Sequence, residues 1–369
     1  QIAEAYRKKG IPVVLGGIHP TALPEEAKEH ADAVVIGEAE EVWPRLIEDV
    51  RSHHLQPFYR QSHLTDLSKV PKPKREILPQ KGYLPIDVVQ VGRGCPFRCE
   101  FCTVHQFYGE TYRFRPLSEV IDEIRHLPHR WIMFNDDNIV GHPSYSKEFL
   151  QALIPLKKKW FAQSSLSGLK RVEQIELLAR SGCKSLFIGF ESLCKENLKG
   201  VQKFQNDPAE YRDIIDALHR HGIAICGSFV FGFDGDDPSV FEKTVSFSIE
   251  TKLFSAVFMI LTPYPETLFY HRMKKEGRLI KDRWWLFERP EEEAPFFLPL
   301  KMTPETLREG WKKAWKTFYS LSSIWKRFQW DYPPTLINRF VYFPFQWMQY
   351  RFTKKKILEG RRRYRGGSI

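Results

Sequence analysis

Three cysteines, Cys95, Cys99 and Cys102, fall within eight residues and have the spacing C-x3-C-x2-C. Three thiolates on one short loop can converge on a single inorganic centre. Because a four-iron cluster normally takes four cysteine ligands, three would leave one iron open to another ligand. Two alternatives stay open: three unrelated thiols, or a structural zinc site with His105 as the fourth ligand. The cysteines therefore predict a metal centre, and a [4Fe–4S] cluster first.

The 369-residue chain has the composition of a globular protein, with 42% hydrophobic and 27% charged residues. Its length suits about two or three domains. The other cysteines, Cys183, Cys194 and Cys226, are scattered, which does not suit a secreted disulfide framework, so we expect a reducing, cytoplasmic compartment. There is no run of about 18 apolar residues that would predict a transmembrane helix. Residues 1–10 resemble the end of a helix, and we expect an upstream part of the protein.

Apolar runs alternate with helical stretches between residues 83 and 270, and this alternation predicts six β/α units. The predicted strands are 86–91, 131–135, 160–164, 185–189, 224–231 and 256–261. Six such units, joined by right-handed crossovers, form a partial (β/α)6 TIM-like barrel. The chemistry of such barrels lies at the carboxyl ends of the strands. The cysteine loop follows the first strand and so falls at that end.

Two further regions flank the predicted barrel. Residues 1–52 alternate strand, helix, strand and helix, as in half of a Rossmann-like α/β domain. Residues 53–82 are polar and Pro-rich and are predicted to be a linker. Residues 271–369 hold seven of the ten tryptophans and predict a helical, aromatic C-terminal region. The predicted domains are therefore 1–52, the barrel at 83–270, and 271–369.

Polar side chains follow three of the predicted barrel strands. They are Asn135, Asp136 and Asp137 after the second strand, Ser165 after the third, and Glu191 and Ser192 after the fourth. Since the carboxyl ends of parallel strands meet at one edge, we expect these side chains near the cysteines. Structural alternatives are an Asx-rich turn after the second strand and a helix cap at Glu191.

The cysteine motif, with Phe101 before its last cysteine and six β/α units around it, resembles the radical S-adenosylmethionine (SAM) superfamily. The resemblance covers about residues 85–270. It implies that the open iron chelates the amino and carboxylate groups of SAM, and that an electron from the cluster breaks the sulfonium bond. The resulting 5′-deoxyadenosyl radical abstracts hydrogen from a substrate. A reductant such as flavodoxin or ferredoxin is implied as well.

The resemblance also implies roles for the polar strand ends. The segment Phe134–Asn138, which contains Asn135, Asp136 and Asp137, is similar to the Asp-Asp-Asn variant of the cobalamin-dependent branch, where most members have a Gly-Gly-Glu-like segment. It implies contact with the methionyl amino group of SAM. Glu191 and Ser192 lie in a segment that resembles the family's GFES…ENL motif, which implies contact with ribose or carboxylate. Phe101 and Ser165 complete this predicted cofactor-binding set.

The N-terminal residues resemble the second half of a cobalamin-binding domain. The segment Val14–Pro20 has the glycines Gly16 and Gly17 directly after a predicted strand. In the family, such glycines lie against the nucleotide tail of cobalamin. The first half of the domain is not in this sequence. The resemblance therefore implies cobalamin binding by a longer parent protein, and does not imply it for residues 1–52 alone.

The function that follows is reductive cleavage of SAM by a cluster-containing radical enzyme. A cobalamin-linked methylation, or an oxidative modification, of a small or lipid-like metabolite is expected, with methyl transfer first. Two rivals are an RNA-modifying radical SAM enzyme and a zinc-stabilised binding module without catalysis. No RNA-binding domain and no second cluster motif accompany the barrel.

The C-terminal tail combines aromatic and basic residues. Residues 351–369 hold eight Lys or Arg and one Glu, out of a net charge of +11 for the chain. Aromatic residues followed by cations favour peripheral contact of residues 336–369 with the inner face of a membrane. A packed terminal segment with a solvated charged end is an alternative. Nucleic acid is a weaker one, because no recognisable nucleic-acid module is present.

Overall fold

The computed structural model describes residues 2–79, 82–287, 294–328 and 342–358, with side chains in the last range up to residue 355. The first unit contains helices α1 (Ile2–Arg7), α2 (Ile18–Ala22), α3 (Pro24–Glu29) and α4 (Trp43–Arg51). Its strands are β1 (Val14–Leu15), β2 (Ala33–Ile36) and β3 (Phe58–Arg60), which form a parallel sheet in this order. All of β2 is buried, as expected for a central parallel strand.

The third strand of this sheet differs from the sequence-based expectation. Phe58–Arg60 fall in the segment that the sequence assigns to a linker, yet they pair with Val34–Ile36 of β2. The strand is short and follows Pro57, so it shows no apolar alternation that would have revealed it. Its partner strand, rather than its own residues, determines its conformation.

The second unit begins with β4 (Ile86–Val89) and the short antiparallel pair β5 (Gly92–Arg93) and β6 (Arg113–Phe114). The further strands are β7 (Trp131–Phe134), β8 (Lys159–Ser164), β9 (Cys183–Glu191), β10 (Ala224–Phe231) and β11 (Ser255–Ile260). The helices are α5 (Val104–Tyr108), α6 (Leu117–His126), α7 (Pro143–Leu153), α8 (Val172–Arg180), α9 (Lys195–Gly200), α10 (Tyr211–Arg220), α11 (Val240–Glu250) and α12 (Leu268–Lys275).

The six-stranded sheet of this unit is parallel throughout. Its strands follow the chain in the order β4-β7-β8-β9-β10-β11, so each neighbour in sequence is a neighbour in space. The first and last strands do not pair with each other, and the barrel is open. Sequential parallel strands with intervening helices form the predicted partial (β/α)6 barrel.

Aromatic side chains fill the core beneath β10 and β11. Phe229, Phe231 and Phe258 are almost fully buried, and Phe258 stacks on both of the others, with ring centroids 6.0 and 5.9 Å apart. Their alternation along the strands turns all three toward the same side of the sheet. These phenylalanines therefore belong to the core, and their burial stabilises the barrel.

The C-terminal helices cover the free edge of β11. They are α13 (Pro304–Phe318), α14 (Leu321–Arg327) and α15 (Tyr342–Phe352). Thr303 caps α13 and Pro304 is its first residue, an arrangement that the sequence predicts. No helix within the described ranges is both long and apolar enough to cross a membrane. Of the tail, residues 336–341 and 359–369 lie outside the described residues.

Side chains from these helices satisfy the unpaired carbonyls of the edge strand. The indole N–H groups of Trp311 and Trp315 donate to the Phe258 carbonyl at 2.8 and 2.9 Å. The Tyr319 hydroxyl donates to the Ala256 carbonyl at 2.8 Å and accepts from its N–H at 3.2 Å. Arg327 donates to the Phe254 carbonyl, just before the strand, at 3.0 Å. The open edge is thus closed by side chains instead of another strand.

Candidate active site

The three cysteines lie on the loop that follows β5 at the carboxyl end of the first barrel strand. Gly94 has φ +89°, and a Cβ there would lie 2.1 Å from the Thr111 carbonyl oxygen. Only glycine therefore allows this approach. The Cys95 N–H donates to the Gly109 carbonyl at 3.3 Å. The loop is consequently held against the segment that precedes β6.

The thiols are largely removed from solvent and surrounded by donors. Burial raises the pKa of Cys95, and burial raises the pKa of Cys102 to about 12. The Val104 N–H donates to Cys102 Sγ at 3.5 Å, and the Gln205 amide donates to Cys99 Sγ at 3.6 Å. Such N–H···S bonds stabilise negative charge on sulfur and are common around iron–sulfur clusters. Three thiols with this environment fit a cluster that has one open iron.

The described residues contain no preformed site for a zinc ion. Across the described residues, no three His, Cys, Asp or Glu side chains lie where they could share one metal ion, as a tetrahedral zinc site requires. His105 lies in α5, and its Nδ1 atom is buried without a hydrogen-bond partner. The distances between cysteine sulfur atoms are longer around an iron–sulfur cluster than around a single metal ion, because irons and sulfides lie between them.

A buried lysine faces the cysteine loop. Lys203 is only 9% exposed, and its ammonium group donates to Glu191 Oε1 at 2.6 Å. Its charge acts on all three cysteines. Glu191 has φ +63°, a left-handed conformation that L-residues adopt only when the surroundings enforce it. The role of Lys203 is not visible in the sequence, since a lysine in a polar loop carries no signal of burial.

The acidic segment after β7 divides into two environments. Both Asp136 oxygens accept backbone N–H groups, from Val91 at 3.1 Å and from Gly92 at 2.5 Å. Asn135 and Asp137 are exposed, and the Asp137 charge acts on Cys95. Partial desolvation of its carboxyl by neighbouring groups raises the pKa of Asp137. Asp136 thus fixes the start of the cysteine loop, while Asp137 is available to a ligand.

The polar residues after β8 and β9 take part in local networks. Asn138 accepts the Ser165 N–H at 3.0 Å and donates to the Ser165 hydroxyl at 2.8 Å. The Ser192 hydroxyl accepts the Cys194 N–H at 3.1 Å and the Asn197 amide at 3.3 Å. Ser192 therefore organises the start of α9, and Ser165 is held beside the loop after β7.

Two comparisons of the whole chain bear on its family. A sequence model of the Radical SAM superfamily matches residues 89–248, and a domain of unknown function (DUF4070) matches residues 267–338. Bacteriochlorophyllide d C-12(1)-methyltransferase of Chlorobaculum tepidum is 33% identical over 339 residues, or 89% of this chain and 73% of that protein. The chain belongs to the radical SAM superfamily.

Further matches include a second methyltransferase and a solved radical SAM methyltransferase with the same fold. Bacteriochlorophyllide d C-8(2)-methyltransferase of the same organism is 30% identical, over 77% of this chain and 67% of that protein. The solved radical SAM methyltransferase TsrM of Kitasatospora setae has a TM-score of 0.67 at 16% identity, covering 97% of this chain and 83% of that one. The predicted family, fold class and enzymatic nature are confirmed. A [4Fe–4S] cluster and SAM are the cofactors of this family.

In this radical SAM protein, the cysteine loop is also tied to α12. Both carboxylate oxygens of Glu100 accept from Arg272, at 2.7 and 3.0 Å, and Arg272 also donates to Asp234 at 2.6 Å. The ring of the neighbouring Phe101 meets Phe233 edge-on at 6.4 Å. Phe101 therefore packs against the end of β10. The sequence did not reveal the Glu100–Arg272 pair, which joins residues 172 positions apart.

The first unit contacts the same loop through its own acidic residues. Glu38 accepts from Arg93 at 2.7 Å and from Arg113 at 3.1 Å, and Glu40 accepts from Arg93 at 2.6 Å. Glu38 is 4% exposed. The radical SAM barrel and the first unit are thus bridged two residues before Cys95.

The two predicted cobalamin-contacting glycines lie after β1. Gly17 has φ +99°, and a Cβ there would meet open space. A Cβ at Gly16 would lie 3.4 Å from Val35 Cβ. The conformation requires glycine at position 17, and the open space beside it leaves the backbone accessible to a ligand.

A cavity of about 340 Å³ lies between the first unit and the segment after β11. Trp285 and Tyr270 supply aromatic walls, and Lys274 and Arg283 supply cations. Glu26 accepts from the Trp285 indole at 2.9 Å and joins the two sides. Glu25, Glu26, Glu266 and Asp282 also line the cavity, so it suits a small polar molecule.

Proposed function

We propose that this chain is the catalytic part of a radical SAM methyltransferase that acts on a small or lipid-like metabolite with cobalamin as its second cofactor. The observation that carries the proposal is a loop with three thiols at the carboxyl end of a six-stranded open barrel, where Cys99 is buried and Cys95 and Cys102 are partly buried. When bound on Cys95, Cys99 and Cys102, the cluster supplies the electron for reductive cleavage of SAM.

The residues around the cysteine loop are suited to different roles in binding SAM and in positioning the loop. Asp137 and Asn135, which are exposed beside Cys95, are suited to the methionyl amino group. Glu191 and Lys203 form a buried charge pair that can rearrange to meet the ribose or carboxylate of SAM. Asp136 keeps the loop in position.

A role for cobalamin is supported by the accessible backbone at Gly17. A methyl donor bound there would lie at the carboxyl end of β1, where open parallel sheets bind ligands. The ion pairs of Glu38 link this unit directly to the cysteine loop, which favours a shared site. The cavity beside Trp285 supports a small-molecule substrate. The names of the relatives, which are bacteriochlorophyllide methyltransferases, favour a substrate that contains rings.

Anaerobic reconstitution tests the proposed cluster. About four irons and four sulfides per chain are expected, with 5′-deoxyadenosine formed from SAM after reduction. Cys95→Ala, Cys99→Ala and Cys102→Ala should each lose both properties. Cys194→Ala and Cys226→Ala are the matched controls and should keep them. Zinc in place of iron, without cleavage of SAM, would contradict the proposal.

Methyl transfer is tested separately with SAM carrying a deuterated methyl group. The label should appear in the product, in a reaction that requires added cobalamin. Cleavage of SAM without transfer of the label would instead favour an oxidative modification.

We further propose that one face of α15 contacts an anionic membrane surface. Phe343, Trp347 and Met348 are 38%, 53% and 55% exposed, and Arg351 and Lys354 follow them. Exposed aromatic groups next to cations suit the lipid interface.

Flotation with anionic liposomes should fall when Trp347 and Met348 are both changed to Ser. The matched control is the pair Ile77→Ser and Leu84→Ser, which lie elsewhere and are 76% and 75% exposed, more than Trp347 and Met348. Equal flotation of both double variants would refute this contact.

A further inference from the structure

The barrel sheet has two faces with different environments. Because its parallel strands follow the chain in order with right-handed crossovers, their helices lie on one face, and the other face is the inside of the barrel. Along β8, Trp160 and Ala162 are buried against the helices, whereas Lys159, Phe161 and Gln163 are only partly buried. Since side chains alternate along a strand, the second set lines the inside of the barrel.

Apolar side chains line much of this inner face, and they are accessible. The strand register places Val88 beside Met133, and Met133 beside Phe161. Val88 on the first strand is 50% exposed, and Met259 on the last strand is 42% exposed. A closed TIM barrel fills its interior with such side chains, but the first and last strands of this sheet do not pair. The inner face is therefore an apolar concave surface that a ligand can enter.

Three cations lie together at the amino ends of the strands. Lys159 is paired with Trp131 of β7, and its ammonium group lies 5.4 Å from the centre of the Trp131 ring. The Arg130 carbonyl accepts the Lys159 N–H at 2.9 Å. Lys184 is the extra residue of a β-bulge where β9 pairs with β8. Partial loss of hydration and the charges of Arg130 and Lys184 lower the pKa of Lys159.

These cations have room for an anionic partner. Within the ranges that the structure describes, no ion pair joins the side chain of Arg130, Lys159 or Lys184 to another residue. Like charges in one place repel, and an anionic group between them would relieve that repulsion. The strand β8 runs from Lys159 to Ser164, so about 17 Å separate this end of the inner face from the carboxyl end.

We propose that the substrate of this enzyme is a largely apolar molecule with an anionic group, which lies along the inner face of the barrel and is held by Lys159 and Lys184. The inference rests on the proposed methyl transfer, since it names the class of molecule on which that reaction acts. The carbon to be modified then lies near the cysteine loop, at the carboxyl ends of the strands. None of the inner-face residues lines the charged cavity beside Trp285, so the two sites are distinct, and the apolar part of the substrate is assigned to the inner face.

Equilibrium dialysis of the full chain against decanoate and decan-1-ol tests the anionic group, because the two probes share one alkyl chain and differ in charge. Decanoate should bind about tenfold more tightly, as for hydrogen bonds to a charged group. The double variant Lys159→Met/Lys184→Met should lose this preference and bind decan-1-ol like the parent. The matched control, Lys147→Met/Lys243→Met, removes two exposed cations from α7 and α11 on the helix side, and it should keep the preference.

The location is tested with Val88→Glu. This side chain is exposed, so the fold tolerates the change, but a carboxylate on the apolar inner face should weaken the binding of both probes. Leu84→Glu is the control, because Leu84 is 75% exposed and precedes the strand; it should bind both probes like the parent.

The outcomes separate this inference from the proposed function. Equal binding of the two probes, no binding of either, or an unchanged preference in Lys159→Met/Lys184→Met would overturn the inference and leave the proposed cluster standing. A parent protein that prefers decanoate but assembles no cluster would retain the anion-binding inner face and overturn the proposed function.

Discussion

The ammonium group of Lys203 and the carboxylate of Glu191 form a charge pair inside the barrel, next to the cysteine loop. Their side chains are 11% and 9% exposed, so neither charge is well solvated. At a buried pair, the attraction is offset by the loss of hydration, and the pair by itself adds little stability. Its role in this protein is to place a positive charge beside the three cysteines. Ionised thiols and an electron taken up by a cluster would add negative charge at this place.

Removing one partner of this pair should lower the free energy of unfolding. Lys203→Met leaves the Glu191 carboxylate buried without its cation, and we expect the free energy of unfolding of the iron-free protein to fall by about 3–5 kcal/mol. Urea denaturation measures this change. The double variant Lys203→Met/Glu191→Met should recover most of the loss. A double variant as unstable as the single one would show that packing, rather than the unpaired charge, causes the effect.

The buried carboxyl of Asp136 should make stability depend on pH. Burial raises the pKa of Asp136 to about 7, although two amides donate to it. An unfolded Asp titrates near pH 4, so the folded protein holds this proton more tightly. The stability that it contributes is present below about pH 4 and is lost as the pH rises to about 7.

The variant Asp136→Asn tests this dependence. Relative to the parent, its free energy of unfolding should rise between about pH 4 and pH 7, by up to about 4 kcal/mol. Urea denaturation at several pH values measures the difference. Asp66→Asn is the control, because hydrogen bonds from Ser68 lower the pKa of the exposed Asp66 carboxyl, and this variant should show no rise. A constant difference between parent and Asp136→Asn would contradict the assignment.

Among the elements, β11 depends most on partners from outside its sheet. Its outer edge would leave a row of backbone carbonyls without partners, and each unpaired buried group costs free energy. Helices α13 and α14 supply the donors, from indole, phenol and guanidinium groups. The helices and the strand therefore stabilise each other, and the C-terminal region is part of the barrel's fold.

Tyr319→Phe should reveal the contribution of this edge. The substitution keeps the ring but leaves both the carbonyl and the N–H of Ala256 without their partner, and we expect a loss of about 1–3 kcal/mol. Tyr342→Phe is the matched control, since its hydroxyl donates to a single carbonyl, that of Ile324 at 2.7 Å. Thermal unfolding of the two variants should rank Tyr319→Phe as the less stable. The reverse ranking would contradict this account of the edge.

At the scale of the whole molecule, the first unit and the barrel meet through Glu38. This one carboxylate accepts from two arginines on the strands that flank the cysteine loop. Its pKa is lowered: burial opposes ionisation, and hydrogen bonds from Arg113 and Arg93 outweigh that effect. The relative position of the two units is thus coupled to the position of the loop.

Glu38→Gln should loosen this connection. The neutral amide cannot balance the two guanidinium charges, so amide hydrogens of Gly92–Arg93 and Arg113–Phe114 should exchange faster than in the parent. Hydrogen–deuterium exchange with mass spectrometry measures the change. Glu40→Gln, which removes a single contact to Arg93, is the control and should have a smaller effect. Unchanged exchange in Glu38→Gln would show that apolar contacts alone hold the units together.

The sequence predicted the parts of this protein that depend on local pattern. The cysteine spacing identified the family, and alternating apolar runs identified the six strands of the barrel. Lys203 and Glu100 were missed, because their importance arises from partners far along the chain. Strand β3 was missed for the same reason. Cofactor contacts stay predictions for the whole set, which is Gly16, Gly17, Phe101, Asn135, Asp136, Asp137, Ser165, Glu191 and Ser192, as do the domain boundaries.

The covered edge of β11 has a consequence for synthesis of the chain. The last barrel strand ends at Ile260 and α13 begins at Pro304, so the ribosome completes the strand before the side chains that protect it. At roughly 5–20 residues per second, that interval lasts on the order of 2–9 seconds. During it, the nascent sheet displays an open edge that another strand can join. Protection of this edge is therefore needed most between the emergence of β11 from the ribosome and the emergence of α13.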